Sequence, residues 1–88
     1  MPIICRFYGI IIRMNYSEGG HHIPHVHALY GNFSASVAFA PPAILVGELP
    51  AHAERCVLEW AALHEAELSD NWQRALKHEL LLTIEPLE

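Results

Sequence analysis

Four of the seven histidines of this 88-residue chain fall within seven positions, in the stretch GGHHIPHVH that runs from Gly19 to His27. Imidazole titrates near neutrality and is the commonest metal ligand, so the cluster suits acid–base catalysis, metal binding or the polar face of a strand. On a strand, His25 and His27 share one side, with Cα atoms about 6.5 to 7 Å apart. Imidazole nitrogens at roughly 2.0 to 2.1 Å suit zinc or a related divalent metal, and His22 or Glu18 from the adjoining loop can supply a third ligand beside His25 and His27. No organic cofactor is expected. Without a metal, the same pair can act as acid and base in RNA cleavage. Arg6 or Arg13 would then neutralise phosphorane charge, and Tyr8 or Tyr16 would orient the substrate. The third reading assigns the pair no chemistry, since outward strand faces commonly display polar residues.

The elements that would hold these side chains follow from patterning. Residues 7–16, FYGIIIRMNY, are β-branched and aromatic and read as a first strand, with Ile10, Ile12, Met14 and Tyr16 on one face and Gly9, Ile11, Arg13 and Asn15 on the wetter one. SEGGHHIP reads as a loop. HVHALY and FSASVAF flank Gly31-Asn32, a pair suited to the positive φ values of short hairpin turns. With a two-residue turn, Tyr30 pairs with Phe33, Ala28 with Ala35 and Val26 with Val37 on an apolar face. Leu29 then pairs with Ser34, His27 with Ser36 and His25 with Ala38 on the other, where small neighbours leave the imidazoles accessible.

Pro41-Pro42 interrupt the pattern, and residues 43–49, AILVGEL, read as a fourth, well-covered strand. After Pro50 the period becomes helical: Ala53, Cys56, Val57, Trp60, Ala61, His64 and Leu68 project onto one face. Ser69-Asp70-Asn71 offers a helix break, which predicts two helices or one bent one. His64, within the apolar stripe, reads as a buried histidine hydrogen-bonded to Glu67 three residues on. Trp60 and Trp72 read as core or interface anchors. The tail LLLTIEPLE is strand-like and suggests an added edge. The order of strands then helices predicts an α+β fold, a meander-like antiparallel sheet of about four strands with one or two helices on one face.

Composition bounds the function. Residues 1–88 are sufficient for one domain, and an apolar fraction of 52% against 17% charged supplies a core. Ten acidic against five basic residues give a formal charge of −5. That sign disfavours binding phosphates through bulk electrostatics and leaves nucleic acid only a local patch or a partner. Cys5 and Cys56 form no CxxC or CxxH spacing and read as free thiols in a reducing cytoplasm. No apolar run reaches the roughly 18 residues of a membrane span, and Arg6, Gly9 and Arg13 interrupt the amino-terminal run, so neither membrane nor export is expected.

RFYGIIIRM, the PHVH pair, the GELP step into a helix, and LEW…LHEAEL…NW followed by IEPL together resemble a bacterial family known as domain of unknown function number 4160. The likeness runs over almost the whole chain, with Arg6, Phe7, Tyr8, Gly9, His25, His27, Glu59, Trp60, Asn71 and Trp72 matching the recurrent pattern. Two departures stand out: His21 and His22 occupy a loop that is polar and proline-rich in relatives, and Leu29 replaces a commonly acidic residue. The resemblance implies a small protein encoded beside a second small protein, an arrangement that places relatives among candidate toxin–antitoxin components. The expectation is therefore a protein-binding member of such a two-gene module, engaging a small cognate protein, or a second copy of itself, through a sheet edge or apolar patch. The alternatives are a histidine-dependent ribonuclease and a metal-dependent hydrolase, both using His25 and His27.

Overall fold

Tyr8 and Gly9 both have positive φ, 50° and 79°, the signature of a two-residue type I′ hairpin turn. The run expected to form one strand over 7–16 therefore folds back on itself. In this computed structural model, which describes residues 2–16 and 23–87, β1 (Ile3–Phe7) and β2 (Ile10–Arg13) are separate antiparallel strands. β3 (His25–Tyr30), β4 (Phe33–Phe39) and β5 (Pro42–Glu48) follow, and the sheet keeps sequence order, β1-β2-β3-β4-β5. The sheet thus has five strands where about four are expected, and the extra one comes from that turn.

The β3–β4 hairpin has the expected register, all six pairs from His25–Ala38 to Tyr30–Phe33. One face is dry: Ile10, Ile12, Met14, Val26, Ala28, Ala35, Val37 and Phe39 are all buried. Two helices cover it, α1 (Ala51–Leu63) and α2 (Glu65–Leu76), which completes the α+β architecture. α1 contributes Ala53, Val57, Trp60 and Ala61 to the core, and α2 contributes Leu68, Trp72 and Ala75. No helix among the described residues is long and apolar enough to cross a membrane.

The helix break falls at His64, not at Ser69-Asp70-Asn71. His64 donates its backbone N–H to the Trp60 carbonyl and accepts from Leu68, so one non-helical residue joins the two rods. Its Nδ1–H donates to Glu67 Oε1 at 2.7 Å, the expected partner. Asp70 instead pairs with Arg74, and Asn71 is buried, its amide clamping the tail through Nδ2–H to the Leu82 carbonyl at 2.8 Å and Leu82 N–H to Oδ1 at 3.0 Å. A third tie runs from Trp60 Nε1–H to the Glu85 carbonyl at 2.8 Å.

Two further expectations are corrected. Among the described residues the tail adds no strand: between it and β1 there is one backbone bond, Ile84 N–H to the Ile4 carbonyl, and Pro86 has no N–H to extend a ladder. β5 is not well covered: it is the sheet's edge, and Leu45 and Val46 are exposed. A continuous apolar run does not distinguish a strand sandwiched between layers from an edge strand beneath a single layer.

Candidate functional site

Because paired residues in an antiparallel sheet point the same way, register alone assembles the uncovered face. Arg13 on β2 pairs with His27 on β3, His27 with Ser36 on β4, and Ser36 with Val46 on β5, a single row across four strands. A neighbouring row runs Arg6, Ile11, Leu29, Ser34, Glu48. A shallow concavity of about 240 Å³ lies over these rows, lined by Arg13, His27, Leu29, Ser34, Ser36 and Val46 among others, with no carboxylate among the described residues of its lining. Glu48 stands on the same face beside Ser34.

His25 and His27 do converge. Their rings meet edge to face with centroids 5.1 Å apart. His25 Nδ1 lies 2.7 Å from the Ile23 carbonyl and donates to it, which leaves Nε2 for a proton, a ligand or a metal. The Ser36 hydroxyl stands 3.4 Å from His27 Nδ1, a long contact. On the other side of His25 is the Trp72 indole of α2, centroid to centroid 5.5 Å. This wall is invisible in the sequence, because the two residues are 47 positions apart in the chain. Val46, at the end of the row, is likewise placed only by β5 pairing.

The remaining candidates divide. Arg13 is the direct neighbour of His27, and its Nε is buried with no hydrogen-bond partner among the described residues. Arg6 shares the face but sits exposed in the adjoining row on β1. Tyr8 occupies the β1–β2 turn, and Tyr16 stacks on His78, so neither joins the histidines. His22, with His21 and Glu18, lies outside the described residues. Among the described residues no group of three His, Cys, Asp or Glu side chains assembles around an ion position; His25 and His27 supply two imidazoles, and a third donor would have to come from elsewhere. Cys5 is buried in the core, and burial pushes its thiol pKa up, with Glu85 adding to the effect.

Burial, and secondarily the charge of His25, lower the His27 pKa below its ordinary 6.5. The folded protein therefore binds fewer protons at this position than the unfolded chain once pH falls to about 6.5. Stability contributed by neutral His27 is fully present above the unfolded value and lost as pH falls from there to the depressed folded value. The urea midpoint is expected to drop between pH 7.5 and 5.5 more steeply for the wild type than for His27→Gln. Equal slopes would show that the imidazole is not held neutral.

An open antiparallel sheet with helices on one face and a His–Arg–Ser row on the other defines a small α+β protein with a polar sheet surface. The model for Domain of unknown function (DUF4160) matches residues 9–73, and the chain belongs to that family. The match runs from the β1–β2 turn into α2, so Arg13, His25, His27 and Trp72 lie inside it and Arg6 outside. No curated protein and no solved structure matches the chain.

Proposed function

We propose that this protein is the protein-binding component of a toxin–antitoxin-like two-gene module, and that its small cognate partner adds a strand to β5. The observation that carries the reading is the free edge. β1, at the other end of the sheet, is tied to the tail through Ile84, whereas among the described residues β5 pairs with β4 alone. Natural edges are blunted by lysines, prolines, bulges or covering segments. β5 begins with Pro42 and has an irregular register near Leu45, but it carries no lysine and presents Val46 at 70% exposure. Main-chain pairing at such an edge supplies affinity, and pockets for alternate side chains supply specificity.

The test is co-expression with the product of the adjacent gene. A one-to-one complex is expected on size-exclusion chromatography, and Val46→Lys should weaken it at least tenfold while far-UV circular dichroism is unchanged. A wild-type chain that ignores the neighbouring product, or a Val46→Lys chain that binds it equally well, would refute docking at β5. Homodimers abolished by Val46→Lys would assign the edge to self-association.

A further inference from the structure

We propose that the Arg13–His27–Ser36 row, with His25 beside it, is a metal-free acid–base site for RNA phosphodiesters, in which Arg13 seats the phosphate. Three observations bear on it. The two imidazoles lie 5.1 Å apart at their centroids, close enough to present both rings to one phosphate. The Arg13 guanidinium is the cross-strand neighbour of His27 and keeps a buried Nε–H without an acceptor among the described residues. Arg13 is half-buried and lines the concavity, and arginine is a strong hydrogen-bond donor to phosphate oxygens.

Among the described residues, charge is unevenly distributed between the sheet and the rest of the chain. The five strands hold two arginines, Arg6 and Arg13, against one carboxylate, Glu48. The other described carboxylates, from Glu54 to Glu85, lie on the helices and the tail. Among the described residues, the strands therefore carry more cationic than anionic side chains within an acidic protein. Weak ground-state affinity is expected, because one seated phosphate releases few counterions.

The step balances without a co-reactant. Neutral His27 takes the proton of a ribose 2′-hydroxyl as the 2′-oxygen attacks phosphorus. The bond from phosphorus to the 5′-oxygen breaks, and protonated His25 gives its Nε2 proton to that oxygen. The products are a 2′,3′-cyclic phosphate and a 5′-hydroxyl. Arg13 donates to the non-bridging oxygens, on which charge accumulates in the transition state.

The experiment uses untagged protein in EDTA and a fluorescent DNA oligonucleotide containing one ribonucleotide, with an all-DNA copy as control. Cleavage is expected only at the ribonucleotide, leaving a cyclic phosphate. Positioned acids and bases contribute roughly 10²- to 10⁴-fold, so His25→Gln and His27→Gln should each lose at least about 100-fold, and Arg13→Gln should fall clearly below wild type. Circular dichroism and urea midpoints establish that each variant is folded. An intact ribonucleotide oligomer with the wild type overturns the proposal. So does cleavage equal in wild type and the His25→Gln, His27→Gln double variant, which marks a contaminating nuclease, or cleavage that EDTA abolishes. Undiminished activity in Arg13→Gln overturns the phosphate seat.

Discussion

Trp60→Ala is expected to bring the protein to the edge of unfolding. Trp60 is fully buried, packs at 5.7 Å from both Phe7 and His64 ring centres, and donates its indole N–H to the Glu85 carbonyl. One side chain thus joins β1, α1 and the tail. Truncating a buried tryptophan to alanine costs about 3 to 5 kcal/mol through lost transfer energy and the cavity left behind. The stranded Glu85 carbonyl adds roughly 1 kcal/mol. A domain of this size has about 4 to 13 kcal/mol in total at roughly 0.05 to 0.15 kcal/mol per residue. Urea unfolding followed by far-UV circular dichroism should show the midpoint collapse, with Trp60→Phe recovering most of the loss because it keeps a ring against Phe7. A Trp60→Ala chain destabilised by less than about 1 kcal/mol would contradict this account of the core.

Gly47→Ala should be nearly as damaging, for a backbone reason. Gly47 has φ +84°, and a Cβ there would lie 2.3 Å from the Ser34 carbonyl oxygen and 3.0 Å from the Ala35 Cα. Both obstacles are main chain, so no rotamer change relieves them and β4 must part from β5. Left-handed backbone costs an alanine roughly 1 to 2 kcal/mol, and overpacking typically adds about 1 to 3 kcal/mol. Gly31→Ala is the control, since it also has positive φ but nothing within 4 Å of the added methyl. Gly47→Ala should lose clearly more stability than Gly31→Ala, and amide exchange along β5 should accelerate selectively. Equal losses at the two glycines would mean that the close approach of β4 to β5 is not a constraint. Because Gly47 and Val46 border the open-face concavity, this variant should also impair whatever binds there or at the edge.

The contrast between the two hairpins shows what local pattern can carry. Gly31-Asn32 separates two alternating segments by two residues of recognised turn chemistry, and the resulting register is met at all six pairs. Tyr8-Gly9 makes an equally tight turn inside an unbroken aromatic and β-branched run, and Tyr8 takes a positive φ that its residue type does not advertise. The run therefore reads as one strand. Likewise Ser69-Asp70-Asn71 has the composition of a cap, but Asn71 is taken up by the tail and Asp70 by Arg74, so the break moves to His64.

By itself the sequence determined the α+β class, the apolar faces of β2, β3, β4 and α1, the pairing of His27 with Ser36, and the shared side of His25 and His27. These depend on side-chain period and on one short turn, which are properties of neighbouring residues. Only the tertiary structure decided that Arg13 stands beside His27, that Trp72 walls His25, and that β5 is the edge of the sheet. Each of those depends on contacts between segments far apart in the chain, where the alternative pairings present the same local pattern and only the packing of the helices on one face of the sheet selects among them.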